Sequence, residues 1–321
     1  MRILTYRVSP QDEGRALRSL IPQRFQLGNH AFRRLKVQQA ILVNRHVARA
    51  DYRVHVGDLI EVQLKSDGTI SPSQSSALCT IRYIDEDLIV LSKGAPLATL
   101  PSCHVRTGTL REILAEMLGE SPDTFCYHPV NRLDKGTSGL LVVARHDHAQ
   151  RLLTEQLHTS SFVREYLAVT DGVPSEESGT LSLPIAHSGF GARRVIRQDG
   201  KPAVTHFEVV QHSGRHALLR LRLETGRTHQ IRVHLAAMGC PVTGDYLYGT
   251  PLPELPDRFA LHSARLALTQ PITGKHIDIS EPLPQQLSQL LDVADNFLPM
   301  STPMADAIMS PRVQPEESPR Q

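Results

Sequence analysis

From Thr80 to about Asp295 the chain is a succession of short β-rich runs, and this pattern most narrows what it can fold into. TIRYI, LIVLS, GLLVVAR, REYLAV, AVTHFEVV and HALLRLRLE are each five to nine residues long. They are rich in the β-branched, aromatic and leucine side chains that suit a pleated, half-buried surface. Helical spacing interrupts them at TLREILAEML, HAQRLLTEQL and THQIRVHLAAM. Strict strand–helix alternation is missing, which argues against a doubly wound parallel sheet. The predicted fold class is α+β, built on a mainly antiparallel mixed sheet. No repeat of fixed period occurs, so solenoids and propellers fall away.

Before that region, residues 12 to 64 read as a small module. DEGRALRSLI and NHAFRRLKVQQA have helical spacing, and ILVNRHVARADYRVHVGDLIEVQL reads as short strands around turns, one marked by Gly57-Asp58. SDGTISPSQSSA, from Ser66 to Ala77, is Gly/Pro/Ser-rich and suits a flexible linker. The last stretch has five prolines and no period, which predicts a disordered tail. A chain of 321 residues is long for one core. The expected division is therefore 1–65 for the small domain, 66–79 for a linker, 80–295 for a larger second domain and 296–321 for the tail.

With 40% hydrophobic residues, 21% charged residues and a net charge of +2, the balance is that of an ordinary globular chain, and bulk charge decides little. No apolar run is long enough to span a bilayer, and MRILTYRVSPQDEGR lacks the order of a signal peptide, so we expect a cytoplasmic, monomeric protein. Cys79, Cys103, Cys126 and Cys240 lie far apart with no CxxC pair, which suggests neither a disulfide framework nor a zinc site. The sixteen histidines include no HExxH, and no metal is expected. Neither a P-loop nor a GxGxxG after a strand is present.

Two stretches carry the chemistry. In YHPVNRLDKGTSGLLVVARH, Asp134 is followed by small residues able to turn tightly and then by an apolar strand, which places its carboxylate on a loop at a sheet edge or cleft wall. Such an aspartate can equally be a turn-former bonding its own backbone. In LRLETGRTHQIRVHLAAMGCPVTGDYLYG, an alternating strand leads through a glycine turn to a helix carrying Ile231, Leu235 and Met238 on one face, with Thr228 the expected N-cap. Arg227, His229 and Arg232 concentrate cationic groups at that helix start, suited to phosphate or to an acid. The runs Arg33-Arg34-x-Lys36 and Arg193-Arg194-x-x-Arg197 are candidate contacts for an anionic partner or ordinary solvated faces.

Together these stretches resemble the RluA/RluD family of RNA pseudouridine synthases. The family's HRLDxxTSGLLVxAK appears here as HPVNRLDKGTSGLLVVAR, and its later motif as ETGRTHQIRVHLAAMGCPVTGDYLYG. REYLAVTDG, RRVIRQDGKPAVTHFEVV and LHSARLALTQPITGKHIDISEPLP extend the likeness to about Pro284. ILVNRHVARADYRVHVGDLIEV is similar to the ribosomal-protein-type RNA-binding domain that often precedes this catalytic domain, with Asn44 and Arg45 at its turn. Two departures stand out. Lys93 is followed by Gly94-Ala95-Pro96 where the family has Lys-Pro-x-Gly, and HRLD is spelled NRLD, placing Asn131 beside the site.

The resemblance implies a pseudouridine synthase catalytic domain with flanking helices and a central cleft, acting on RNA without cofactor. The glycosidic bond of a uridine is broken, the uracil turned, and a ring carbon joined to the sugar. It implies Asp134 as catalytic carboxylate, Arg232 as its guanidinium partner, Tyr166 as a ring stacked on the base and Arg132 as the filler of the space the flipped nucleotide leaves. A forked pair of donors from Arg232 to Asp134 is expected. Arg33, Arg34, Lys36, Asn44 and Arg45 are the RNA contacts expected of the small domain. Ribosomal RNA of the large subunit is the favoured target, with transfer RNA an alternative. A non-catalytic RNA-binding or assembly factor is a competing reading, as is a hydrolase that would need a second carboxylate such as Glu224 or Asp245.

Overall fold

The computed structural model describes residues 2–64, 78–101, 105, 107–122 and 125–291. The expected tail, nearly all of the expected linker and Cys103 lie outside the described residues. Among the described residues, no helix is long and apolar enough to cross a membrane.

The N-terminal part comprises β1 (Arg2–Arg7), α1 (Leu17–Arg24), α2 (Asn29–Val37), β2 (Ile41–Val43), β3 (His46–Val47) and β4 (Leu59–Leu64). The strands form one antiparallel sheet in the order β1-β4-β2-β3. β4 alternates half-buried and buried residues along its length. That period of two turns Ile60, Val62 and Leu64 onto Leu17, Leu20, Ile21 and Leu35 of the two helices. β1 was not read as a strand in the sequence. It pairs along its whole length with β4, a partner more than fifty residues away.

The second part runs through β5 (Cys79–Ile84), β6 (Leu88–Lys93), α3 (Leu110–Met117), β7 (His128–Pro129), β8 (Ser138–Ala144), α4 (Asp147–Gln156), β9 (Val163–Asp171), β10 (Ser178–Ser182), β11 (Ile185–His187) and β12 (Arg194–Ile196). It continues with β13 (Val204–Ser213), β14 (His216–Leu223), α5 (Gln230–Ala237), β15 (Leu261–Thr269), β16 (His276–Ser280) and α6 (Gln285–Ser288). Among the described residues, ten strands make one sheet with the spine β10-β13-β14-β9-β15-β8-β6-β5, while β11 and β12 form a separate hairpin. The α+β reading with a mainly antiparallel mixed sheet therefore holds. Between described strands only β8 and β15 run parallel, and only over His262–Ser138 and Ser263–Gly139.

That short parallel contact positions the site. A Cβ on Gly139 would lie 2.2 Å from the carbonyl oxygen of Ser263, and its φ is +104°, so no side chain fits there. The glycine of TSGLL thus lets β15 close against the start of β8, directly after the Asp134 loop. β8 is buried along its whole length, its two faces feeding apolar clusters on opposite sides of the sheet.

The two parts also touch. Arg2 grips the fully buried Asp87 through two nitrogens, and Asp87 further accepts from Gln270 at 2.5 Å and lies 3.1 Å from His146 Nε2. Arg34 pairs with Asp147 at 3.2 Å, and Arg151 donates to the carbonyl of Gln26.

Candidate active site

Asp134 sits on the loop between β7 and β8, and Leu97 and Thr99 hold that loop on either side of it. Thr99 Oγ1 donates to Leu133 O at 2.7 Å, Leu97 N donates to Lys135 O at 3.0 Å, and Thr137 N donates to Asp134 O at 3.1 Å. The Lys93 ammonium, itself buried, donates to the carbonyls of Gly94 and Leu97 at 2.9 and 2.8 Å, with Lys135 O at 3.4 Å. The departure from the family turn therefore lies in the segment that this lysine ties to the aspartate loop. Burial pushes the Lys93 ammonium down to about 7, against the opposing pull of Asp134.

The carboxylate opens into a cleft of roughly 320 Å³. Arg132, Arg164, Tyr166, Arg227, His229 and Arg232 also line it, and Asp134 is the only acid among the described lining residues. A concave site with four guanidinium groups and one carboxylate favours an anionic substrate whose reacting atoms meet the acid. Tyr166 comes from β9, where it pairs with Leu221 on one side and Ser263 on the other. Its ring is buried, and burial raises its phenol despite a hydrogen bond with Ser263.

Arg232 lies on α5 with its side chain only 2% exposed. Its fork does not face Asp134, contrary to the sequence expectation. Nε and Nη2 each donate at 2.7 Å to the two oxygens of Asp245, a fully buried carboxylate, and only Nη1 reaches Asp134 Oδ2, at 3.2 Å. Asp245 Oδ1 also accepts from the backbone N–H groups of Leu247 and Tyr248 at 2.9 and 3.2 Å. The Arg232 guanidinium lies over the Phe259 ring at 4.1 Å and near those of Tyr248 and Tyr246. Burial alone would lower the guanidinium's affinity for its proton, but the bonds to Asp245 and the charges of both aspartates outweigh it and leave it raised.

The helix start is also built differently from expectation. His229, not Thr228, occupies the N-cap position, and it does so with left-handed backbone, φ +57° and ψ +19°. Thr228 Oγ1 instead accepts a hydrogen bond from Arg132, a contact across the cleft rim that outcompetes the cap. His229 Nδ1 lies 2.9 Å from the Tyr248 hydroxyl, and its Nε2 lies 3.9 Å from Asp134 Oδ2. The Tyr248 oxygen also accepts from Arg194 N at 2.7 Å, so the hydroxyl ties the imidazole to the β11–β12 hairpin. Burial lowers the His229 imidazole, opposed by Asp134 and reinforced by Arg232, so the neutral ring is favoured.

The structure therefore brings Asp134, Tyr166, Arg132 and Arg232 together around one cleft. Sequence reasoning offers Asp245 only as the second carboxylate of a hydrolase, and gives Tyr248 and Lys93 no role in the site. The first two stand in the later motif as GDYLYG, but a spacing of thirteen residues says nothing of a contact with Arg232. Neither carboxylate weighed for a hydrolase faces the reacting space: Asp245 is locked on Arg232, and Glu224 pairs with His206 at 2.7 Å. Asn131 Oδ1 accepts from Val142 N at 2.8 Å, pinning the loop to β8.

The small-domain candidates lie away from this cleft. Arg33 and Lys36 are exposed on α2, whereas Arg34 is used on Asp147. Asn44 and Arg45 form the β2–β3 turn with φ of +51° and +68°. The Asn44 amide donates to Asp58 at 2.8 Å and its oxygen accepts from Leu59 N at 2.9 Å, so that side chain braces the turn, while Arg45 projects outward.

A family profile described as RNA pseudouridylate synthase matches residues 87–237, a span that contains Asp134, Tyr166 and Arg232. Ribosomal large subunit pseudouridine synthase D of Escherichia coli O6:H1 is 34% identical over 308 residues, covering 90% of this chain and 94% of that protein. The chain belongs to the RNA pseudouridine synthase family. Uncharacterized RNA pseudouridine synthase YlyB of Bacillus subtilis is 34% identical over 268 residues, covering 81% of this chain and 88% of that one. Among solved structures, human RNA Pseudouridylate Synthase Domain Containing 1 superposes with a TM-score of 0.52 at 25% identity, over 67% of this chain and 93% of the human one. The pseudouridine synthase is thus an isomerase of RNA, and the family match ends eight residues before Asp245, the group that holds Arg232.

Proposed function

We propose that this pseudouridine synthase isomerises specific uridines of large-subunit ribosomal RNA with Asp134 as its catalytic carboxylate. One observation carries the assignment: Asp134 is the single acid among the described residues lining a cleft with four arginines, and the remaining nitrogen of Arg232 reaches it at 3.2 Å. A carboxylate so placed can attack the sugar or take a proton from it once the uridine is flipped into the cleft, and the nearby cation favours its charged form there. Tyr166 supplies the ring on which the uracil stacks, and Arg132 at the rim fills the vacated space in the RNA.

The large-subunit target follows from the relative named as a ribosomal large subunit enzyme, which matches this chain along most of its length. In this reading residues 1–65 form an RNA-binding domain, with Arg33, Lys36 and Arg45 toward RNA, and residues 80–295 form the catalytic domain of a monomeric cytoplasmic enzyme. Arg34 ties that domain to Asp147 of the second part, and Asn44 braces its turn.

The test is a pseudouridine map of cellular ribosomal and transfer RNA from cells with the protein, without it, and with Asp134→Asn in its place. Large-subunit sites lost in the deletion and restored only by the intact aspartate are the expected result. Loss confined to transfer RNA would move the target, and an unchanged map would favour a non-catalytic RNA-binding factor.

A further inference from the structure

Phe190 is 85% exposed at the tip of the hairpin formed by β11 and β12, in the sequence SGFGARR. An isolated exposed aromatic is unremarkable, but this one is held by a built turn. Ser188 Oγ accepts from Phe190 N at 3.2 Å and donates to Phe190 O at 2.9 Å, while Gly189 N donates to His187 Nδ1 at 3.0 Å. Gly189 and Gly191 on either side take φ of +92° and +53°, which L side chains rarely adopt. The ring is therefore presented outward on ordered backbone, at low entropic cost for any contact it makes.

The foot of the hairpin is joined to the active site. Ile185 packs with Val233 of α5, and Arg194 N donates to the Tyr248 hydroxyl that contacts His229. Arg193 lies over the Tyr248 ring at 5.5 Å. No acidic residue occurs from His187 to Arg197, and Arg193 is exposed next to the tip. An ordered aromatic beside cationic groups, on a hairpin whose foot at Arg194 is linked through Tyr248 to His229 of the cleft, fits a nucleobase better than an apolar protein surface, because a base offers a π-face and its phosphate the matching charge.

We infer that Phe190 stacks on an unpaired RNA base flanking the target uridine, with Arg193 on the adjoining phosphate. This rests on the RNA-modifying role proposed above and adds a contact that steers which RNA shape is accepted. A base–aromatic stack is worth about 1–3 kcal/mol, or roughly 5- to 150-fold in affinity.

The chain has no tryptophan, so Phe190→Trp places a single indole at the tip. Purified cellular RNA titrated into this variant should quench its emission saturably. Phe190→Ala should weaken RNA binding about 5- to 150-fold at an unchanged thermal midpoint, and Phe190→Tyr should bind as the parent does. Flat emission at RNA concentrations that saturate binding, or a Phe190→Ala protein that binds like the parent, would overturn the inference. Quenching without pseudouridine formation would leave this contact standing and remove the catalytic reading. Normal pseudouridine formation with flat emission would do the reverse.

Discussion

Arg232 turns the forked edge of its guanidinium to Asp245 and offers Asp134 a single nitrogen. The arrangement divides the work between two carboxylates. Asp245 is fully buried, takes two charge-assisted bonds from the arginine and two N–H groups from its own loop, and so fixes the guanidinium plane. Asp134, with 23% of its side chain exposed, stays open to substrate and shares its cation with a rival anion. A buried pair of this kind is costly to break from one side, because the partner left behind stays desolvated.

Asp134→Asn should therefore abolish chemistry without unfolding the protein. We expect pseudouridine formation to fall at least ~10³-fold, with stability changed by no more than about 1 kcal/mol. Release of tritium from the uracil carbon that gains the new bond, with a thermal melt on the same sample, checks both halves. Near-normal turnover would remove Asp134 from its role.

Arg232→Lys keeps the charge and loses the fork, leaving Asp245 buried with one side-chain donor where it had two. A stability loss of about 3–5 kcal/mol is expected by chemical denaturation. Asp245→Asn should lower kcat more than it raises KM, since it displaces Arg232 rather than the RNA. Equal kcat in Asp245→Asn and the parent would show that the inner pair does not set the position of Asp134.

Lys93→Met is expected to stabilise the fold and slow the reaction together. The ammonium sits near 7 in the folded state and near its ordinary, higher value in the unfolded chain, so at pH 7 and below its charge opposes folding. Removing it should gain roughly 1–3 kcal/mol at pH 6–7 after the lost carbonyl bonds are offset. The gain should shrink as pH rises from 7 towards 10, where the folded lysine is neutral. The same change removes one of the ties between residues 94–97 and the aspartate loop, and kcat should drop. Guanidinium melts across that range, paired with turnover, test the opposition of the two effects.

Acid should destabilise the enzyme before its carboxylates titrate. His148 and His262 are pushed down to about 4 by burial, and His229 and His234 are lowered by the same cause. Between about pH 6.5 and 4 the unfolded chain binds protons that the folded one refuses, so stability falls as pH falls, by up to ~1.4 kcal/mol per pH unit for each histidine. The paired carboxylates Asp58 and Asp278, also lowered, add their losses only below about pH 4. Thermal melts at pH 7 and pH 5 should differ markedly, and His148→Leu should reduce the difference. A flat profile over that interval would mean the buried histidines are solvated.

The sequence by itself determined the α+β class, the order of most elements, the Asp134 loop and the family, because these rest on local periodicity and on contiguous motifs such as NRLDKGTSGLLVVAR. β1 escaped that reading since its pairing with β4 is non-local, and β15 was seen only as part of a motif, not as the strand that meets β8 in parallel. What only the tertiary structure decided is which charge meets which. Thr228 is an ordinary N-cap by rule, yet Arg132, ninety-six residues away, takes its hydroxyl and leaves His229 to start the helix in a left-handed conformation. Arg232 has two acids within reach, and burial decides between them: a fully desolvated Asp245 demands the bidentate pairing more strongly than an Asp134 still in contact with water.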